Sequence, residues 1–448
     1  MRPNIVYLHS HDTGRYVQPY GAPVVSPNLQ RFAEEGVMFR DAHAAAPTCS
    51  PSRAGLLTGQ MPHNAGMMGL THRGWRLHDY GQHLVHTLHG AGYASALAGV
   101  QHIAPEPGGA KQLGYHQQLP NTGMRAADIL PAALAYLAKP PDQPFFLSVG
   151  FVETHLLPQA APLDSSFGYP HGDARYITPP SPLPDTPETR QDVADFQVSL
   201  SALDSSYGAL LGALERSGQA ENTLVIITTD HGLPLPGMKG QLTVQGTGVS
   251  LFLRGPGGFS GGRVCDALVS QLDIYPTLCE LLELPSPPWL QGTSLLPLVR
   301  GEAERVHEEI FTESTHHVAY EPQRAVRTDH YTYIRRFGVR AHPVLLNCDD
   351  SPSKDVWLKQ GWQGCAEPQH MLFDRTFDSG ERQNRSGHLD YAEVETDLRN
   401  RLHRWQQATQ DPLLNGPIPV PPGTLERDPD GVSPSEAAIS EPRKRTQA

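Results

Sequence analysis

Cys49 stands two residues ahead of Pro51 and four ahead of Arg53, in Cys49-Ser50-Pro51-Ser52-Arg53. Behind it runs Ala54-Gly55-Leu56-Leu57-Thr58-Gly59, which predicts a short helix with Cys49 at its start. Free backbone N–H groups and the helix dipole favour an anion at such a place. Arg53, one turn on, faces back toward residue 49, and its rigid guanidinium suits an oxyanion. A lone Cys ahead of a helix is commonly a small buried hydrophobe. A thiol hydrolase is the competing chemistry. It would need a His–Cys pair and an oxyanion hole, and it leaves Pro51 and Arg53 unexplained.

Two acidic–imidazole pairs follow apolar runs. His11-Asp12 comes after Asn4–His9, and Asp230-His231 comes after Leu224–Thr229. In an open α/β sheet, ligands collect at the carboxyl ends of strands. The two pairs can therefore converge on one divalent metal ion. Asp12 and Asp230 form the heart of that ligand set, with His231 beside them. His11 either ligates directly or supports a ligand from behind. Imidazole suits Mn²⁺ or another transition metal, whereas Ca²⁺ takes oxygen ligands. In isolation, Asp230-His231-Gly232 also reads as an ordinary strand-to-turn transition.

The elements that must position these residues alternate in the βα manner of a mostly parallel sheet. Strands are expected at Asn4–His9, Ala94–Ala98, Phe145–Gly150, Leu224–Thr229 and Ser250–Leu253. One helix starts behind Ser26 as N-cap, with Pro27 at its first position, and ends near Gly36. Others are expected at Gly81 to Gly90, Pro187 to Ser217 and Gln271 to Leu284, the last kinked or broken by Pro276. Leu156–Pro187, rich in Pro, Gly, Ser and Asp, reads as a long surface excursion shaping a substrate mouth. Beyond about Glu302 the pattern changes to short strands, at Glu309–Glu313, Gln323–Arg327 and Tyr331–Arg336, followed by a helix at Tyr391–Ala408. The expected organisation is a large α/β domain over 1–305, a smaller C-terminal α+β subdomain over 306–415 and a disordered tail over 416–448.

Composition fits a globular protein, with 38% hydrophobic and 18% charged residues. The formal net charge of −12 argues against a nucleic-acid binder, though not against an anionic substrate in a locally positive pocket. No apolar run approaches the roughly 18 residues that span a bilayer, so no membrane partner is expected. The first apolar run, Asn4 to His9, is too short for a signal-peptide core, and a cytoplasmic location is the expectation. The five cysteines, Cys49, Cys265, Cys279, Cys348 and Cys365, show no zinc-type spacing and suit a reducing compartment.

The stretch from Cys49 to Gly59 resembles the sulfatase signature. Further matches are Gly66-Met67 with Gly69-Leu70, Thr223-Leu224-Val225-Ile226 leading to Asp230, Ser314-Thr315-His316-His317, and Trp405 with Asp411-Pro412. The likeness runs from Asn4 to about Pro412 and is nearest to the heparan N-sulfatase (sulfamidase) branch. It implies the alkaline-phosphatase-like fold, a large mixed sheet flanked by helices. It also implies that a formylglycine-generating enzyme oxidises Cys49 to formylglycine, whose hydrate attacks sulfur, and that the metal is Ca²⁺. The family's metal pairs are usually Asp-Asp and Asp-Asn; here His11 and His231 take two of those places. In the Gly-Lys-x-His of the family, this chain keeps His102 and has Val100 in place of Lys. By the resemblance His102 is the base that releases sulfate, His155 protonates the leaving atom, and Lys239 contacts the sulfate. His316, His317 and Arg324 are expected at the substrate mouth.

The function so implied is hydrolysis of a sulfate ester or N-sulfo group on a small sulfated substrate, expected to be a carbohydrate. Phosphonate and phosphate monoester hydrolases share the superfamily fold and some of the same groups, and are the first alternative. A non-catalytic relative that binds sulfated sugar, suggested by Val100, is the second. The oligomeric state is not legible.

Overall fold

The computed structural model describes residues 2–157, 165–338, 340–424 and 427–436. An eight-stranded sheet forms the centre. Its strands are β1 (Asn4–Ser10), β2 (Val37–His43), β3 (Ala94–Gly99), β4 (Gln117–Gln118), β5 (Phe145–Gly150), β6 (Thr223–Thr229), β7 (Leu251–Arg254) and β8 (Arg263–Ser270). Their order is β4-β3-β5-β1-β6-β7-β2-β8. Neighbours run parallel except around β7, which is antiparallel to both β6 and β2.

β1 lies in the middle and is buried along its whole length. Its alternate side chains enter opposite layers, Ile5 and Tyr7 on one face, Val6 and Leu8 on the other. Helices on both faces cover a parallel sheet in this way, so its strands read as continuous apolar runs. The longest helix, Pro187–Arg216, seats Val193, Phe196, Leu200, Leu203, Leu210, Leu211 and Leu214 on one of these layers. Thr186 caps it, with Pro187 at the first helical position.

A second sheet, wholly antiparallel, has the order β12-β11-β10-β9. It comprises β9 (Ile310–His316), β10 (Tyr320–Arg327), β11 (Tyr331–Arg336) and β12 (His370–Asp374). The helix Ala392–Ala408 packs Leu398 and Leu402 against Val326, Tyr333 and Leu372 of this sheet.

Several sequence expectations are corrected. β2 and β8 were not expected as strands. Arg40 and Asp41 interrupt the apolar run of β2, and the first half of β8 is largely exposed. Pro276 does not kink its helix. It sits in the first turn of Ile274–Leu281, where its missing N–H costs nothing. The helix expected from Gly81 begins at Leu84, after the single turn Tyr80–Gln82. The segment after Asn415, expected to be disordered, is partly packed: Ile418 is buried in the main core, and Val432 O accepts from Lys354 Nζ at 2.7 Å. Of the excursion Leu156–Pro187, residues 158–164 lie outside the described part, while Phe167 and Leu183 are buried. No helix among the described residues is long and apolar enough to cross a membrane.

Candidate active site

β1 and β6 are adjacent and parallel, with Ser10 opposite Thr229. His11-Asp12 and Asp230-His231 therefore leave the sheet side by side at the carboxyl ends of two central strands. Asp12 turns the chain in the left-handed region, at φ 56°, and its N–H donates to Asp230 Oδ1 at 2.8 Å. Thr48 is extended, and the helix Cys49–Thr58 begins directly behind it, so Cys49 sits at the helix N-terminus. Every residue of that helix is buried. Ser52 Oγ donates to Asp230 O at 2.6 Å, and Gln271 Nε2 donates to Thr229 O at 2.7 Å. The helix start is thereby pinned to the end of β6.

Arg53 points back under the site, as its one-turn spacing requires. It donates to Ser10 O at 2.8 Å, to Asp230 Oδ2 at 3.0 Å and to His9 Nδ1 at 2.5 Å. A guanidinium can only donate, so His9 Nδ1 accepts and its Nε2–H serves Ser148 Oγ at 3.2 Å. Burial alone would raise the Asp230 carboxyl, but the neighbouring His231, Arg53 and His11 hold it well below the usual carboxylate range. Burial pushes the Cys49 thiol well above its ordinary value. As a thiol, Cys49 is thus a poor nucleophile, which counts against a thiol hydrolase.

The space between Cys49 and the two pairs is rich in electron pairs. His231 Nδ1 faces Gly232 O at 3.0 Å and must donate to it. In the neutral ring its Nε2 then directs a lone pair at Asp12 Oδ1, 3.1 Å away, with Cys49 Sγ at 3.3 Å and Asp230 Oδ2 at 3.7 Å. Asp12 Oδ1 is buried without a hydrogen-bond donor, and His11 Nδ1 lies 3.1 Å from Asp230 Oδ2. Ligand atoms of His11, Asp12, Cys49 and Asp230 all lie within 4.8 Å of one another. Buried acceptors aimed at one another are costly unless a cation sits among them. His11, Asp12 and Asp230 therefore fit a divalent ion, with His231 Nε2 at the edge of the group, 3.1 Å from Asp12 Oδ1.

Lys239 lies beside this centre and is buried. Its Nζ donates to Asp12 Oδ2 at 2.9 Å, to Asp349 Oδ2 at 2.8 Å and to His155 Nε2 at 3.2 Å. Burial would lower its pKa, but Asp12 and Asp349 raise it well above the ordinary lysine value. His155 Nδ1 hydrogen-bonds the carbonyl of Leu156 and so carries a proton, while Nε2 accepts from Lys239. This tautomer reverses the expectation from sequence: at rest, Nε2 of His155 has no proton to give. His102 adopts φ 57° and stacks on His72, with 5.4 Å between centroids and 5° between planes. Its Nε2 is 3.2 Å from His72 Nδ1, and its ring is 5.8 Å from that of His11. His317 donates from Nδ1 to Asn347 O at 3.2 Å. Burial, and then the charge of Lys239, lower its pKa to about 3.

Two expected mouth residues are elsewhere. His316 is the last residue of β9, and His317 lies in the bend beyond it. His316 packs against Trp75 and Tyr320, at 5.0 and 4.8 Å between centroids. Arg324 is fully buried, binding Asp411 through Nε at 2.8 Å and Nη2 at 2.9 Å. Its role is to hold the second sheet to the C-terminal segment. Sequence reasoning missed Asp349, His9 and His72. His9 was legible as the strand residue two before His11. Asp349 sits in a loop and His72 in the single helical turn Thr71–Arg73, neither with a spacing signal.

The sulfatase family profile matches residues 3–284 of the chain. The chain belongs to the sulfatase family. A second profile, the C-terminal region of N-sulphoglucosamine sulphohydrolase, matches residues 242–355. Human N-sulphoglucosamine sulphohydrolase is 28% identical, covering 94% of this chain and 93% of that protein. An ulvan-active sulfatase of Formosa agariphila is 24% identical over 92% of this chain and 76% of its own. Among solved structures, a 2-O GAG sulfatase superposes with a TM-score of 0.71 at 20% identity, covering 94% of this chain and 96% of that one. The phosphonate monoester hydrolase of Agrobacterium radiobacter gives 0.67 at 20% identity, covering 92% and 97%. These likenesses establish the expected fold. Sulfatases are enzymes, and the chain carries the family's signature at Cys49.

Proposed function

We propose that this sulfatase hydrolyses an N-sulfo group or sulfate ester on a sugar and releases inorganic sulfate. The N-sulfo group is the first choice because both the whole chain and its C-terminal region are similar to N-sulphoglucosamine sulphohydrolase. The observation that carries the reading is the seat of residue 49. It lies at a buried helix N-terminus, 3.3 Å from His231 Nε2, within one cluster with His11, Asp12 and Asp230.

Oxidation of Cys49 by a formylglycine-generating enzyme would place an aldehyde there, whose hydrate supplies one hydroxyl to attack sulfur and a second to release sulfate. A divalent ion held by His11, Asp12, Asp230 and His231 would supply a Lewis acid beside that hydrate and the transferring oxygens. Ion identity follows from the donors: two carboxylates alone accommodate Ca²⁺, while His11 and His231 favour Mn²⁺ or a similar ion.

The chain's own residues do the rest. Arg53 keeps Asp230 charged and anchors the floor of the site through Ser10 O. Lys239 presents a buried positive charge to the transferring group, in a place where water cannot screen it. As the bond to sulfur breaks, Lys239 Nζ passes a hydrogen to His155 Nε2 and the imidazolium gives it to the leaving nitrogen or oxygen, which leaves the amine neutral until it is reprotonated from solvent. His102, supported by His72, is the base that takes the proton from the second hydroxyl.

Processed protein assayed side by side on N-sulfoglucosamine, a 6-O-sulfated sugar, an aryl sulfate and an aryl phosphate tests the assignment. Sulfate release with weak or no phosphate release is expected. Faster turnover of the phosphate ester would replace the sulfohydrolase with the phosphomonoesterase alternative.

A further inference from the structure

Lys239 Nζ has three hydrogens and three partners, and the partners come from three parts of the chain. Asp12 follows β1, His155 follows β5, and Asp349 lies between β11 and the helix Pro352–Lys359, outside the large sheet. The loop that presents Asp349 is built to hold it. Asn347 Oδ1 accepts from the N–H groups of Val318 and Ala319 at 3.0 and 2.9 Å. Lys354 Nζ donates to Cys348 O at 2.7 Å. Asp350, the next residue, points the other way, to Lys354 at 2.8 Å, with its side chain 51% exposed. Of two adjacent carboxylates, one is committed to the site and one to the surface.

We propose that Asp349 is a positioning residue: by clamping Lys239 against the pull of Asp12, it keeps a Lys239 N–H on His155 Nε2 and so reinforces the Nδ1–H tautomer that the Leu156 carbonyl favours from the other side of the ring. The kinetic consequence rests on the sulfohydrolase reading above; the tautomer does not. Asp12 and Asp349 grip the ammonium from two sides at nearly equal distances, 2.9 and 2.8 Å. That balance directs the third N–H at His155 Nε2. Without the Asp349 charge, Lys239 is drawn to Asp12 and the third N–H leaves the imidazole. The nearest charged acceptor for an Nε2–H is then Asp12 Oδ2, 3.7 Å away, and only the Leu156 carbonyl still favours Nδ1–H, so the balance of tautomers moves toward Nε2–H. The C-terminal part of the chain thereby completes a proton path whose other members belong to the large sheet.

The test compares processed wild type with Asp349→Asn, Asp349→Glu and Asp350→Asn. Nitrogen-15 histidine NMR reads the tautomer, with His155 assigned by its loss in His155→Gln. Wild type is expected to show the Nδ1–H form of His155 and Asp349→Asn a clearly smaller share of it. On the sulfated sugar turned over best, Asp349→Asn is expected to lower kcat about 10- to 100-fold, as removal of an orienting partner does, with KM moved far less. Asp349→Glu should recover most of that loss, and Asp350→Asn, with the same change of charge, should match wild type. An Nε2–H form of His155 in wild type overturns the proposal without any variant. So does Asp349→Asn with unchanged tautomer and kcat, or Asp350→Asn with an equal loss. If wild type releases no sulfate from any sugar, the sulfohydrolase reading fails, and the NMR comparison alone decides the role of Asp349.

Discussion

Asp230→Asn isolates the metal claim. The amide keeps an oxygen for the N–H groups of Asp12 and His231, which Asp230 Oδ1 accepts at 2.8 and 3.0 Å. Its NH₂ replaces the oxygen facing Arg53 and His11, at 3.0 and 3.1 Å. In chelator, two effects oppose one another. Arg53 loses a charged partner, and the repulsion between Asp12 and Asp230 disappears. The decisive quantity is therefore the rise in Tm on adding metal. At one hundred times Kd, a bound ion stabilises the native state by about 2.7 kcal/mol. An unfolding entropy of about 2.1 cal/mol/K per residue gives roughly 0.9 kcal/mol/K for 448 residues. Wild type should then gain about 3 °C. If the substitution weakens binding about a hundredfold, the same metal concentration supplies only about 0.4 kcal/mol, and the rise falls below about 1 °C. Differential scanning calorimetry with Mn²⁺ and with Ca²⁺ measures both shifts and ranks the two ions. An equal rise in wild type and Asp230→Asn refutes the ligand set.

Three further outcomes follow from the structure. Cys49→Ser should take the sulfuryl group once and stall, because serine has no second hydroxyl to expel it; steady turnover by the purified variant contradicts the proposed release step. Arg324→Met strips the buried Asp411 carboxylate of its guanidinium and should cost about 3–5 kcal/mol of stability. Its kcat per folded molecule should stay near wild type, and a collapse of kcat in the folded protein would put Arg324 back at the mouth. His83 is buried away from the site with Nε2 unpartnered, and burial lowers its pKa to about 3. Its unfolded form binds a proton below about 6.5, so its stability contribution is present above that value and is lost as pH falls toward 3. His83→Asn keeps an acceptor for Val85 N–H. Denaturation at several pH values should show the variant's acid loss shallower by up to about 1.4 kcal/mol per pH unit. Parallel pH profiles would rule this out.

The parts of the site that the sequence displayed are those at strand ends. Continuous apolar runs marked β1, β5 and β6, and the charged residues directly behind them had to meet because parallel strands end on one side of the sheet. The Cys49 helix was legible from its capping pattern and from Arg53 one turn on. β2 was hidden because Arg40 and Asp41 break its apolar run, each satisfied by a partner far along the chain: Asp266 for Arg40 at 2.6 Å, Arg375 for Asp41 at 2.7 Å. Asp349 and His72 were invisible for a related reason. Each acquires its role from a partner over 20 residues away, Lys239 and His102, and no local period encodes that. Arg324 misled in the opposite sense. An Arg on a strand near a His pair reads as a ligand contact, yet its carboxylate partner, Asp411, lies 87 residues on.

The central claim is that residue 49 works as an aldehyde and not as a thiol. Intact-mass and peptide mass spectrometry of protein co-produced with a formylglycine-generating enzyme reads this directly. The peptide spanning residue 49 should have lost its sulfur and gained a carbonyl, and the share converted should track the specific activity. A fully active preparation whose residue 49 is entirely unmodified cysteine, silenced by alkylation of that thiol, would contradict it.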